Sequence, residues 1–473
     1  MKLNHLCIAL CMCIGHTLCA QEVLSSSLDN IPTNWKGKKF ELSKQYPTTV
    51  TDEPQPWKSF DFKKQPLEYI NAVKKYLLEG NLESDWVFKN NKVRKWYHAP
   101  AMVWGQNGRE FINGLTRERS SRPGELHPNQ TNSCQNWAVG FYNPKGGQTI
   151  GKIYANPNAP NTALATFPEG TVTAKLLFTN ASTTEVPYMK NAFEWQANIH
   201  TAQRGTNDRS PATVRLLQVD IAVKDSRATN TDWIMMTFAY NDKAPGTTPW
   251  DKLVPVGIQW GNDPTALRPG MPLTESWINP QFKQLFTVGT WTMHTGLNGR
   301  LNGPVDNPKS SCLSCHGTAQ DPSVSTGMIP ADDPASLAKY FRNINPPAVF
   351  EDLPGKKEFS LDYSLQLEVG IPLARSHAPA QSSKRGVAPP PLDTANIQEI
   401  KRVFLTTRDF EDEENTPEPT TTKDTATVKP SKENPTPTPA PTDSGSLKWW
   451  LGAAAAAAAA AGYYWSKNKG NTK

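Results

Sequence analysis

The sequence predicts an α+β multidomain protein. A mainly antiparallel β-sandwich or jelly-roll-like domain comes first, then a small α-helical module, a disordered Pro/Thr tether and an apolar C-terminal helix. Three observations predict it. Strand-like runs punctuated by Gly, Pro and Asn fill the middle of the 473 residues. Short helical spacings surround a Cys-x-x-Cys-His motif after residue 305, and beyond Asp409 the composition shifts to Pro, Thr and Glu.

Taken in chain order, Lys2, the apolar run Leu6–Leu18 and Cys19-Ala20 before Gln21 read as a secretory signal over residues 1–20. A lipid-anchored Cys19 is disfavoured, because Leu18 stands where a small residue is expected. Cleavage removes Cys7, Cys11, Cys13 and Cys19 and leaves only Cys134, Cys312 and Cys315, too few for a disulfide scaffold. Residues 21–94 look irregular, except for an amphipathic helix over Leu67–Leu78 that puts Leu67, Ile70, Val73, Tyr76 and Leu77 on one side.

Residues 95–305 read as the β-rich domain, with strands over Val172–Phe178, Val214–Val223, Trp233–Tyr240 and Val254–Trp260. In the second of these the apolar set lies on the odd-numbered side from Leu217 onward, so one buried face is expected. Gly146-Gly-Gln-Thr-Ile-Gly-Lys152 almost writes a phosphate-binding loop. Ile153 replaces the required hydroxyl residue, however, and Tyr142-Asn143-Pro144 does not read as a buried strand, so a hairpin turn is expected. His98, His127 and His200 are dispersed without a nucleophile partner, which excludes a hydrolase triad. A net charge of +6 without a Lys/Arg tract gives no case for nucleic acid.

Cys312-Leu-Ser-Cys315-His316 carries the chemistry. Two thiols three positions apart on one turn can add to the two vinyl groups of a haem, and the adjacent imidazole then meets the iron from its proximal side. A thioredoxin-like redox pair would need a strand before the motif, whereas Asn298–Pro308 reads as a loop. Half a zinc site would need further ligands at compact spacing, and His294 and His377 stand far off. The expectation is therefore one covalent haem c, bound through Cys312 and Cys315 with His316 on the iron, in a cytochrome c-like module over residues 306–408. Its helices are expected at Pro334–Asn343 and Thr394–Phe404, and Cys134 is left over as a buried, inert thiol.

For the sixth iron position Met328, in Thr326-Gly-Met-Ile-Pro330, comes first and His377 second; Met293, His294 and an open position are further alternatives. The choice matters, because a thioether raises the reduction potential, a second imidazole lowers it and an open position permits ligand chemistry. Arg109, Arg117, Arg119 and Arg122 form a basic cluster able to pair with carboxylates, haem propionates included, although a solvated surface cluster is the preferred reading.

Residues 409–446 cannot bury enough apolar area to offset their ordering entropy, so they read as a disordered linker. Residues 447–466, with Trp449-Trp450, nine alanines and Tyr463-Tyr464-Trp465, read as a transmembrane helix flanked by aromatic belts. A soluble Ala-rich helix is the alternative. The basic residues 467–473 then lie in the cytoplasm, which puts the body on the periplasmic side of a Gram-negative inner membrane.

The chain resembles a family of bacterial membrane-anchored mono-haem cytochrome c proteins over about residues 90–370. The resemblance rests on Gly108-Arg-Glu-Phe with Gly114-Leu-Thr-Arg-Glu-Arg-Ser-Ser121, on Phe167-Pro-Glu-Gly-Thr-Val172, on Leu253-Val-Pro-Val-Gly257 with Trp260-Gly-Asn-Asp-Pro264, and on Arg300 to Gln320. It implies haem binding and electron transfer, and it transfers Cys312, Cys315 and His316 alone as site residues. With the signal and the anchor, the expectation is a tethered electron carrier whose partners are redox proteins of the periplasm or inner membrane. The competing expectation is a haem oxidoreductase or small-ligand sensor whose β domain binds the substrate.

Overall fold

Nine strands form one antiparallel sheet in the computed structural model, which describes residues 31–98, 115–157, 159–201, 209–322, 333–350 and 357–376. The strands are β1 (Tyr97–His98), β2 (Thr116–Arg117), β3 (Asn136–Tyr142), β4 (Val172–Thr179), β5 (Glu194–His200), β6 (Arg209–Lys224), β7 (Trp233–Tyr240), β8 (Leu253–Gln259) and β9 (Ser276–Ile278). Their order is β1-β3-β4-β6-β7-β8-β9, with β2 also on β3 and β5 also on β6. The signal segment, Arg109, Met328, His377, the Thr394–Phe404 helix, the 409–446 linker and the 447–466 span lie outside the described residues. No helix among the described residues is long and apolar enough to cross a membrane.

The antiparallel, β-rich character is as the strand pattern predicts. The arrangement differs, because one nine-stranded sheet, accompanied among the described residues only by a two-stranded and a three-stranded sheet of short strands, replaces two large stacked ones. What would be the second sheet of a sandwich is supplied by helices, loops and short strands. The Pro66–Leu78 helix, begun by Pro66 where a missing N–H costs nothing, buries Tyr69, Ile70, Val73, Tyr76 and Leu77. With Phe40, Trp57 and Trp96 they cover the face carrying Val139, Phe141, Val219, Ile221, Val223 and Phe238. Residues 31–94 thus belong to the main core.

The other face of the sheet is covered as well, which corrects the expectation of one buried face. Alternation along the strands sends Tyr142, Ala222, Trp233 and Met235 to it, where they pack on Leu313, Leu361 and Leu367 of the C-terminal segment. Farther along the same face Ala138, Leu177, Leu217 and Ala239 meet Phe282, Met293 and Leu301. Leu217 reaches this second face where the β4–β6 register shifts between Leu177 and Phe178. All described residues fall within one compact unit, Met1–Thr416. The boundaries drawn at 94/95 and 305/306 therefore mark changes of composition inside one packed body.

The glycine-rich stretch is a helix, Pro144–Ile153, preceded by the buried strand β3, which corrects the hairpin expectation. Asn143 caps it by accepting from Gly146 N at 3.1 Å, so the helix satisfies its own N-terminal donor instead of offering it to a phosphate. Gly147 is needed for close approach, because a Cβ there would lie 2.6 Å from the Tyr97 ring. The expected Pro334–Asn343 helix runs over Pro334–Tyr340. A further helix, Leu365–Ser376, was hidden in the sequence by Pro372 in its interior.

Candidate cofactor site

The motif lies on a five-residue helix, Cys312–His316, begun by a capping box. Ser311 Oγ accepts from Ser314 N at 3.1 Å, and Ser314 Oγ accepts from Ser311 N at 2.8 Å. Strand β8 grips this turn. Gln259 Oε1 accepts from Leu313 N at 3.1 Å, and Gln259 Nε2 donates to Ser311 Oγ at 3.2 Å. The loop leading in is fixed by the fully buried Arg300, which donates to the carbonyls of Leu297, Asn262, Asp263 and Ala266 at 2.9–3.0 Å.

Cys312, Cys315 and His316 converge on one cavity, whose empty space totals about 1450 Å³ counting its solvent-open mouth. Its apolar wall includes Tyr142, Phe167, Trp233, Met235 and Leu365. Both thiols are free. Burial, reinforced by the nearby Asp306, pushes both above the ordinary thiol range, with Asp220 adding to the shift at Cys312. They are therefore neutral thiols, unlike the thiolate of a redox Cys-x-x-Cys pair.

His316 is oriented from behind. Its Nδ1 stands 2.8 Å from the carbonyl oxygen of Tyr363, which can only accept, so Nδ1 carries the proton and Nε2 is bare. Burial, against the opposing pull of that hydrogen bond, holds the imidazole below its ordinary value and keeps it neutral. A neutral imidazole with a committed Nδ1 is the donor that an iron porphyrin requires. Two thiols one turn apart, a bare Nε2 and an adjoining apolar space together fit a covalently bound haem.

One rank of the sheet runs polar across this face. Register places Gly140, Lys175, Asp220 and Thr237 side by side on β3, β4, β6 and β7. Lys175 Nζ lies 3.2 Å from Asp220 Oδ2, and Asp220 accepts from Thr237 Oγ1 at 2.8 Å and from Gln218 Nε2 at 2.8 Å. Burial alone would lower the lysine, but Asp220, Glu118 and Asp306 outweigh it and hold the ammonium above its ordinary range. Burial raises Glu118 despite the lysine nearby. Gly140 makes room for the Leu365–Ser376 helix, since a Cβ there would lie 1.9 Å from the Gln366 amide.

The structure brings together Cys312, Cys315 and His316. Met328 and His377 lie outside the described residues. Met293 is buried in an apolar cluster, and His294 Nε2 lies 2.7 Å from Asp306 O; neither lines the cavity. Met235 and Met236 do line it, and nothing in the β7 pattern marks either as more than core. Lys175 and Asp220 were legible in principle, as charges inside strands otherwise buried. Arg119 proves to be no solvated surface group. It pairs with Glu125 Oε1 at 2.7 Å, donates from Nε to Val305 O at 2.7 Å and lines the cavity. Cys134 is buried, with its thiol pushed up to about 11 by burial. No group of three or more His, Cys, Asp or Glu side chains able to hold a bare metal ion occurs among the described residues. No protein-family model, curated protein or solved structure matches the chain.

Proposed function

We propose that this chain is a c-type cytochrome with one haem joined covalently to Cys312 and Cys315, a periplasmic carrier of single electrons tethered to the inner membrane by residues 409–466. The observation that carries the reading is His316. Its Nδ1 proton is committed to Tyr363 O at 2.8 Å, which leaves Nε2 bare beside two free thiols in one cavity. The haem supplies the Fe(III)/Fe(II) couple. The chain's own part is to fix the imidazole tautomer through Tyr363, to present both thiols from one capped turn and to exclude water with Phe167, Trp233 and Leu365. Met328 remains the first candidate for the sixth position and His377 the second. Redox proteins of the periplasm or inner membrane are the proposed partners, consistent with the resemblance to mono-haem cytochromes c.

The test is expression in cells competent for cytochrome maturation, with intact mass and a visible spectrum as readouts. The reading requires the mass of one haem added to the polypeptide. Cys312→Ser or Cys315→Ser should weaken that linkage, and the double variant should release its haem to acidified organic solvent. A colourless product at the bare polypeptide mass sinks the proposal. Substituting Met328, His377 and Met235 in turn and re-recording the reduced spectrum identifies the sixth ligand.

A second reading is favoured by the Lys175–Asp220–Thr237 rank, which gives the cavity hydrogen-bonding groups that a pure carrier does not need. It makes the protein an oxidoreductase or small-ligand sensor. Carbon monoxide separates the two: an unchanged low-spin reduced spectrum supports the carrier, and a ready shift to a carbonyl complex supports ligand chemistry.

A further inference from the structure

Behind Tyr363 lies a second layer that the chemistry above does not use. Asp362 and Tyr363 are consecutive non-glycine residues with left-handed backbone, φ 50° and 63°. Such a pair persists only where its surroundings over-determine it. Here they do. The fully buried Asp362 carboxylate accepts from Lys224 Nζ at 2.8 and 3.0 Å, from Trp233 Nε1 at 2.6 Å and from Phe167 N at 2.7 Å. The Tyr363 hydroxyl donates to Ile344 O and accepts from Ile344 N, both at 2.9 Å. Ser364 Oγ meets Tyr142 OH at 2.9 Å. Three residues are thus tied to β3, β6, β7 and two loops, and the carbonyl between the two clamps is the one facing His316.

A buried ion pair of this kind is weak grounds for stability, because desolvation of both charges opposes their attraction. Its geometric effect is specific. We propose that Asp362, held by Lys224 and Trp233, is a positioning residue for the haem iron: it fixes the Tyr363 carbonyl against His316 Nδ1 and so tunes how strongly the imidazole donates to the metal. The inference rests on the haem reading. A firm Nδ1–H to carbonyl bond makes the imidazole a better donor and favours Fe(III). Loosening it favours Fe(II).

The test compares wild-type holoprotein with the double variant Asp362→Asn/Lys224→Met, which leaves local net charge unchanged, so that no simple electrostatic shift mimics the effect. Two quantities are read in folded protein: solvent exchange of the His316 Nδ1 proton in the reduced state, by NMR, and the midpoint potential. Expected is exchange at least tenfold faster and a shift of about three- to tenfold toward Fe(II), tenfold being 59 mV for a one-electron couple. A folded double variant with unchanged exchange and potential overturns the inference. If the double variant does not fold, Trp233→Phe removes the indole donor to Asp362 while keeping an aromatic ring in the cavity wall. It should speed exchange of the Nδ1 proton and shift the potential in the same direction by less; unchanged exchange there overturns the inference equally. Wild-type protein without covalent haem would overturn the proposed function itself, whereas coloured wild type with indifferent variants defeats this inference alone.

Discussion

Asp225 shows how a single side chain couples this fold to pH. Its buried carboxylate accepts from Arg227 Nη2 at 2.6 Å, from Arg227 Nε at 2.9 Å and from Tyr69 OH at 3.1 Å. Burial opposes ionisation, but the Arg227 bonds outweigh it and lower the group below the ordinary 3.8. A lowered folded-state value means stability that is fully present above that ordinary value and is lost as pH falls from there through the lowered one. Asp225→Asn should therefore cost about 1–3 kcal/mol at pH 7, and the gap to wild type should close below about pH 4; urea titrations at pH 7 and pH 3 measure both. At this scale the candidate site was legible where residue type and spacing are themselves the chemistry: Cys312, Cys315 and His316. What Lys175, Asp220 and Asp362 pair with was not, because a charge in a strand or loop says nothing of which charge it will face.

Short elements here are fixed by a few contacts each, which makes them easy to test. Ser311 caps the Cys312–His316 helix and also meets Gln259 and Asn262. Ser311→Ala should cost about 1–3 kcal/mol, the upper end reflecting buried partners left unsatisfied, and should lower the yield of covalent haem measured by absorbance per protein mass. In the Pro144–Ile153 helix, Gly147→Ala sets two effects against each other. Helix propensity gains about 1 kcal/mol, while a Cβ 2.6 Å from the Tyr97 ring costs about 1–3 kcal/mol in overpacking. Net destabilisation of about 1 kcal/mol is expected, read as a lower thermal midpoint. Apolar runs bounded by turn residues were legible, and Trp233–Tyr240, buried along its whole length, coincides residue for residue. Strand β3 was not, because Asn136 and Gly140 break its apolar run and Pro144 follows close behind.

Across the whole molecule, the described residues between 306 and 376 pack against the sheet and share its core. Leu313, Leu361, Leu367 and Ile371 share one cluster with Tyr142, Ala222, Trp233 and Met235. A fragment spanning 306–408 should accordingly show poorly dispersed amide resonances and low secondary structure by circular dichroism, while the chain up to residue 408 stays folded; a well-dispersed fragment would refute this. The sequence by itself determined the antiparallel strands, the Pro66–Leu78 helix and the Cys-x-x-Cys-His turn, because periodicity, caps and thiol spacing are local properties of the chain. Only the tertiary structure decided that one sheet is buried on both faces, that a polar rank crosses one of them, and that Asp362 and Lys224, 138 residues apart, meet behind His316. Those depend on strand register and on long-range packing, in which each residue's surroundings are supplied by distant parts of the chain.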